Sequence, residues 1–136
     1  MADIREILDL ADTVAVVGMS SNPNKAAYSV PAGLQAAGFR IIPVNPTART
    51  ILGEQAYASL GEVPEEIDVV EVFRPADEAP GIVQQAAAVG AKAVWLQKGL
   101  TSPEARAAAE EAGLAYVEDA CMGVERSRYG ITKFDT

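Results

Sequence analysis

A regular alternation between short apolar runs and longer amphipathic segments constrains the fold of this sequence more than any other feature. The apolar runs have the length of strands, and the segments between them have the length and spacing of helices. The predicted strands cover residues 13–18, 40–45, 67–73, 91–97 and 114–119. The predicted helices cover residues 1–12 and about 29–37, 77–89 and 103–112. This order is the β-α-β rhythm of proteins with a parallel sheet.

The central parts of several predicted strands, such as residues 14–17, are apolar without interruption. This pattern indicates a sheet with both faces covered by helices. Right-handed crossovers then predict an α/β fold, namely a Rossmann-like, doubly wound parallel sheet of about five strands. Because 136 residues suit one domain, we expect residues 1–136 to form a single Rossmann-like domain.

Local signals support the predicted helix ends. Gly38, Gly90 and Gly113 each follow an Ala-rich helical segment and precede a strand, where a left-handed residue is favoured. Ser102 followed by Pro103 is typical of an N-cap and the first helical position.

Composition excludes several classes of function. The net charge is −8, and no basic stripe is present to follow a nucleic-acid backbone. No apolar run is long enough for a membrane span, and the N-terminus does not resemble a signal peptide. The chain has no histidine, and its one cysteine, Cys121, cannot form an internal disulfide. We therefore expect a cytoplasmic protein without a zinc or iron site, for which a small anionic ligand is still possible.

The first predicted strand runs into a polar loop, residues 18–25, that contains Gly18, two serines and Lys25. Ligands of open α/β sheets bind at such carboxyl strand ends, where a helix N-terminus favours phosphate. Lys25 is placed to offer a counter-charge to a diphosphate. The alternative interpretation is an ordinary turn between a strand and a helix.

This loop does not match the motifs of the common nucleotide-binding folds. The sequence after Gly18 departs from G-x-G-x-x-G, and no G-K-[ST] is present. The second strand ends in Val44, Asn45 and Pro46, without the acidic residue that holds the ribose of NAD. The usual mode of NAD binding is therefore disfavoured.

Three further polar breaks follow later strands, at residues 43–46, 73–78 and 96–101. Carboxyl strand ends of a parallel sheet share one edge, and proline at these positions is expected to turn the chain outward. Arg74 and Lys98 then place two cations around one crevice of an acidic protein. Each of them alone is more simply a solvated loop residue.

Four segments together resemble the small stand-alone CoA-binding proteins, the YccU-like family, over residues 6–126. The segments are VAVVGMSSNPNKAAYSV, IIPVNPTARTILGEQAYASL, DVVEVFRPADEAP and AKAVWLQKGLTS. The family is similar to the CoA-binding N-terminal domain of the succinyl-CoA synthetase α subunit. The resemblance implies a single Rossmann-like domain that holds coenzyme A across the carboxyl strand ends.

The resemblance also implies the roles of particular residues. The nucleotide and diphosphate would be wrapped by Gly18, Met19, Ser20, Ser21 and Asn22, with Lys25 offering charge. The adenosine moiety would be flanked by Pro43, Val44 and Asn45, and the pantetheine arm would contact Phe73, Arg74 and Pro75. The W-L-Q-x-G segment of the family is matched at Gln97, Lys98 and Gly99.

The sequence departs from the family pattern near its C-terminus. Where relatives show D-R-C and then E-H, this chain reads DACMGVER over residues 119–126, so an arginine and a histidine are missing. Glu118, Asp119 and Glu125 are acids near a strand end, and we interpret them as a solvated acidic loop. Cys121 is either an inert, buried hydrophobic side chain or a neighbour of the CoA thiol.

Synthetases of this kind need a phosphorylated histidine on a further domain, which this sequence does not provide. We therefore expect a non-catalytic module that binds CoA or an acyl-CoA, with no nucleic-acid or membrane partner and no protein partner that the sequence identifies. The alternatives are an enzyme that uses another nucleotide cofactor, such as NAD, an enzyme of thioester chemistry through Cys121 or Glu125, and a domain whose pocket has decayed.

Overall fold

The computed structural model describes residues 3–134, so Met1 and Ala2 of the predicted first helix and the last two residues of the predicted domain lie outside it. The helices and strands alternate along the chain. In order they are α1 Ile4–Leu10, β1 Thr13–Val17, α2 Ala26–Ala36, β2 Arg40–Val44, β3 Thr50–Ile51, β4 Glu54–Gln55, β5 Val69–Val72, α3 Ala79–Ala88, β6 Ala93–Leu96, α4 Pro103–Ala112, β7 Ala115–Val117 and α5 Met122–Tyr129. Short 3₁₀ turns lie at Leu60–Glu62 and Ala76–Glu78.

Five parallel strands form the main sheet in the order β2-β1-β5-β6-β7. β1 pairs with β2 on one side and with β5 on the other, so the strand order reverses next to β1. The small strands β3 and β4 pair separately as an antiparallel hairpin. The predicted Rossmann-like α/β fold with about five strands is confirmed.

Apolar side chains form a core on each face of the sheet. One core joins the sheet to α1, α2 and α5 and includes Leu8, Leu34 and Met122. The other joins it to α3 and α4 and includes Ile82 and Ala105. Successive residues of a strand point to opposite faces, and full burial of a Leu or Val side chain stabilises the fold by about 1.5–3 kcal/mol. The uninterrupted apolar strands are thus explained by helices on both sides.

The predicted helix ends agree with the structure. The backbone φ is +100° at Gly38, +77° at Gly90 and +76° at Gly113, all in the left-handed region. At Gly38 a Cβ would also lie 2.6 Å from the Lys133 carbonyl carbon, which only glycine avoids. The Ser102 hydroxyl accepts a hydrogen bond from the Ala105 N–H at 3.0 Å, as an N-cap does.

The β3–β4 hairpin and α5 were not predicted, and α2 begins at Ala26 rather than near residue 29. The helix α5 escapes a periodicity argument because it is mostly polar, with Met122 and Glu125 as its buried residues. α2 starts early because the polar loop after β1 leads directly into the helix, without further loop residues between them.

The expectation that proline would turn the chain outward is wrong at Pro43. This residue is buried inside β2 and pairs in register with Val16. A proline lacks the N–H of a sheet ladder, but β2 is an edge strand of the main sheet, where this loss is tolerated. The Pro43 carbonyl accepts a hydrogen bond from the Tyr57 N–H at 3.0 Å, so the next segment partly covers this edge.

One carboxyl group lies inside the sheet core. The side chain of Glu71 on β5 is fully buried, and its Oε2 accepts a hydrogen bond from the Gln97 amide at 2.7 Å. Its Oε1 has no hydrogen-bond partner among the described residues. Burial disfavours the charged form and raises the pKa of Glu71 to about 8. Glu71 is therefore protonated at neutral pH.

This burial predicts an unusual dependence of stability on pH. The pKa of Glu71 is raised in the folded state. Its contribution to the free energy of unfolding is therefore fully present below pH 4.5, the ordinary pKa of a glutamate, and is lost as pH rises towards about 8. Across this window each pH unit lowers the free energy of unfolding by about 1.4 kcal/mol. Urea unfolding should show this decline, and the chain has no histidine that titrates in the same range.

The variant Glu71→Gln should remove most of this pH dependence, since an amide does not titrate and still accepts a bond from Gln97. Glu110→Gln, an exposed change on α4, serves as the control and should keep the full decline. An equally steep decline in Glu71→Gln would show that another group causes it.

Candidate functional site

A cleft of about 620 Å³ opens at the carboxyl ends of β1, β2 and β5. It lies where the strand order reverses, which is the position at which open α/β sheets bind ligands. The cleft is lined by Val17, Gly18, Met19, Ser20, Val44, Asn45, Pro46, Thr47, Ala58, Ser59, Leu60, Arg74, Glu78, Ile82 and Gln85.

Gly18 forms the floor of the cleft directly after β1. Its φ is +84°, and its N–H donates a hydrogen bond to the Val44 carbonyl at 3.2 Å. A Cβ at this position would lie 2.8 Å from Cδ of Arg74. Both the backbone conformation and the contact with Arg74 therefore require glycine here.

A proline in the following helix helps to hold the loop after β1. Pro31 lies inside α2 and has no N–H to donate to the carbonyl of Ala27, one turn earlier. That carbonyl instead accepts a hydrogen bond from the Ser20 N–H at 3.2 Å. The Ser20 hydroxyl in turn accepts a bond from the Asn22 N–H at 3.0 Å. The loop is thus fixed from within.

Asn45 ties the ends of β1 and β2 together. Its amide nitrogen donates to the Met19 carbonyl at 2.9 Å, and its Oδ1 accepts from the N–H groups of Thr47 and Ala48, both at 2.9 Å. Its side chain therefore shapes the wall of the cleft, and its polar atoms are engaged within the protein.

Arg74 is the one lysine or arginine among the described residues that line the cleft. Its Nε and Nη2 donate to the two carboxylate oxygens of Glu78, at 3.1 Å and 2.7 Å. Both side chains are about half exposed, 49% for Arg74 and 44% for Glu78. The guanidinium holds the pKa of the Glu78 carboxyl below its usual range. The guanidinium in the cleft is therefore paired with a carboxylate of the same chain.

The structure brings six of the predicted site residues together in the cleft. They are Gly18, Met19, Ser20, Val44, Asn45 and Arg74. Three others, Ser21, Asn22 and Lys25, are exposed on the loop between β1 and α2.

The remaining predicted site residues do not line the cleft. Pro43 is buried in β2, and Phe73 packs against the core formed with α1, α2 and α5. The Gln97 side chain is buried against Glu71. Pro75, Lys98 and Gly99 are exposed after β5 and β6.

The expectation of a solvated acidic loop near the C-terminus is wrong for Glu118 and Glu125, whereas Asp119 is exposed. Glu118 accepts a hydrogen bond from the Tyr116 hydroxyl at 2.9 Å. Asp119 accepts one from the Gly99 N–H at 2.7 Å and joins two loops. Glu125 is buried and contacts Arg128 at 3.2 Å. Each acid has a structural partner, which lies in β7 for Glu118, in the loop after β6 for Asp119 and within α5 for Glu125.

The sequence reasoning missed one whole wall of the cleft. Ser59 and Leu60 approach from the 3₁₀ turn, and Glu78, Ile82 and Gln85 approach from the start of α3. This wall lies on a helix face beside the strand ends, and the strand-end motifs do not include it. A signal was available in the spacing of Glu78, Ile82 and Gln85, which places them on one side of a helix.

No cluster of three or more metal-binding side chains occurs among residues 3–134. In the same range no helix is long and apolar enough to cross a membrane. Cys121 is half buried at the N-cap of α5.

Comparison with known proteins shows what this chain is similar to. An uncharacterized protein of Bacillus subtilis, YneT, is 39% identical over 123 residues, which cover 90% of this chain and 91% of that one. A structure described as a hypothetical protein from Pyrococcus horikoshii OT3 has a TM-score of 0.89 at 39% identity and covers 93% of this chain and 89% of that one. A type II ADP-forming acetate–CoA ligase of Archaeoglobus fulgidus is 31% identical over 79% of this chain, which spans 16% of the ligase.

The family described as CoA binding domain matches residues 12–127, nearly the whole chain. This agrees with the fold, with the position of the cleft and with the resemblance that the sequence motifs carried. The chain belongs to the CoA binding domain family.

Proposed function

We propose that this protein binds coenzyme A or an acyl-CoA in the cleft at the carboxyl ends of β1, β2 and β5, and that residues 1–136 act as a single binding module. The observation that carries the proposal is the combination of Gly18 with Arg74. Gly18 leaves room for the stem of Arg74 against the backbone at the end of β1, and the guanidinium that this packing places in the cleft suits a phosphate group.

The proposed contacts follow the position of each residue. The diphosphate would lie over Gly18, Met19 and Ser20, with Ser21, Asn22 and Lys25 on the exposed side of the same loop. The adenosine moiety would lie against Val44 and Asn45, with Leu60 and Ile82 as apolar walls. Adjacent Pro43 would support that wall from inside β2.

The pantetheine arm is proposed to leave the cleft past the ends of β5 and β6. Phe73, Arg74 and Pro75 follow the first of these strands, and Gln97, Lys98 and Gly99 follow the second. Because the Gln97 side chain is buried against Glu71, its part would be to fix the loop, while Lys98 and Gly99 are accessible to a ligand.

The end of β2 supports CoA over NAD. The usual dinucleotide site has an acidic side chain here for the free ribose hydroxyls. In this chain the position after β2 is Asn45, whose amide is already bonded to Met19, Thr47 and Ala48. It offers no free carboxylate to a ribose.

We expect CoA to bind with a micromolar dissociation constant, about −8 kcal/mol, and NAD to bind at least about tenfold more weakly. Arg74→Ala should weaken CoA binding by about 1.5 kcal/mol, the low end for hydrogen bonds to charged groups, since Glu78 competes for the same guanidinium. Isothermal titration measures both effects. Arg5→Ala, on the exposed face of α1, is the matched control and should change nothing. NAD binding as tight as CoA binding would overturn the proposal.

We further propose that this protein is cytoplasmic and that the module binds its ligand without catalysing a reaction. The acids near the C-terminal edge are engaged by Tyr116, Gly99 and Arg128, which argues against a free general base there. The similarity to the acetate–CoA ligase covers 16% of that enzyme, so the comparison supports a binding part and not a whole ligase.

Incubation with acetyl-CoA or succinyl-CoA, with and without ATP and magnesium, should release no thiol above the spontaneous rate. Chromatography that separates free CoA from its thioesters follows this release in the unmodified protein, so that Cys121 stays in place and no thiol reagent is needed. Turnover that disappears in Cys121→Ser or in Glu125→Gln would replace the binding module with a thioester enzyme.

A further inference from the structure

We infer that Glu78 is a specificity-determining residue of this cleft. In the free protein its carboxylate accepts hydrogen bonds from the guanidinium of Arg74, and only a ligand with a phosphate group displaces it. The inference rests on the proposed function and adds a residue and a selection rule to it. Glu78 lies in the polar segment 73–78, but the sequence motifs assign no role to it.

The geometry of the pair is that of a ligand already in place. Two parallel hydrogen bonds, Nε to Oε1 at 3.1 Å and Nη2 to Oε2 at 2.7 Å, fill one edge of the guanidinium. This is also the edge-on arrangement in which arginine holds phosphate. Within residues 3–134, the other ion pairs involve side chains that do not line the cleft.

The side chain of Glu78 does not cap the helix that it precedes. Glu78 is the N-cap residue of α3, yet it makes no side-chain capping bond and reaches Arg74 instead. The stem of Arg74 packs against the backbone on the other side, because its Cδ and Cγ lie only 2.8 Å and 3.0 Å from the position that a Cβ of Gly18 would take. The stem of Arg74 is thus packed at the end of β1, while its partner Glu78 is a half-exposed side chain at the start of α3.

The pair of Arg74 and Glu78 is weak enough for a phosphate group to displace the carboxylate. Both side chains are about half exposed, so water and salt screen the attraction and the pair is weak. A phosphate or diphosphate carries more charge than a carboxylate and can replace Glu78 at the same atoms. An uncharged ligand cannot do so, and a nearby negative charge on Glu78 and Asp77 also disfavours weakly charged anions.

The test is isothermal titration at low salt with CoA and, separately, with adenosine as a probe without phosphate. Glu78→Gln removes the charge and keeps the size of the side chain, and it should tighten CoA binding by about two- to fivefold. It should not tighten adenosine binding, and the gain for CoA should shrink as salt is added. Glu110→Gln makes the same change of net charge on α4, away from the cleft, and should have no effect.

A double-mutant cycle separates competition for Arg74 from general repulsion. In an Arg74→Gln background the further change Glu78→Gln should bring no gain, because the contested cation is absent. An equal gain in both backgrounds, or in Glu110→Gln, would overturn the inference. No gain in Glu78→Gln, with CoA still bound by the unmodified protein, would overturn it and leave the proposed function intact. If neither protein binds CoA, the proposed function itself fails.

Discussion

The position of β1 between β2 and β5 is the constraint on which the rest of the molecule depends. The chain leaves β1, crosses one face through α2 to reach β2, and then returns past β1 to begin β5 on the other side. The loops after β1 and β2 therefore diverge above the sheet and leave an opening. The cleft follows from the strand order rather than from any single side chain, and the side chains decide what enters it.

The two cores maintain that strand order. Burial on both faces means that no strand can slip by one residue without moving apolar groups of one core into the other, which fixes the register. Glu71 is the exception within this apolar environment. It is accommodated as a neutral acid, bonded to Gln97, at a cost in stability that grows as the pH rises. Its place beneath the carboxyl edge connects the core to the loop that follows β6.

Much of the fold was predictable because it rests on local patterns. Ala-rich amphipathic helices, continuous apolar strands and the Ser102 cap identify α3, α4 and the five strands of the main sheet, and α4 was predicted over its observed residues. The missing parts depend on tertiary contacts. The β3–β4 hairpin has two residues in each strand, and α5 is held by packing on α1 and α2 rather than by its own periodicity.

The site was predictable only along the strand ends. Gly18, Asn45 and Arg74 lie in the cleft as the motifs indicate, whereas Phe73 and Gln97 point into the core because alternate residues of a strand face opposite sides. Arg74 and Glu78 are four residues apart in the segment 73–78, which the sequence predicts as a polar break after a strand. A sequence pattern shows that two opposite charges lie one helical turn apart, but not that they line a cleft.

The central claim, that CoA occupies this cleft, is tested most directly by NMR mapping of backbone amide shifts during a titration with CoA. The account predicts that the largest shifts fall on Gly18, Ser20, Asn45 and Arg74 around the cleft. The groove between α3 and α4, at Gln84 and Glu111, offers an internal reference that should not respond. Shifts concentrated in that groove, or no shifts at millimolar CoA, would contradict the account.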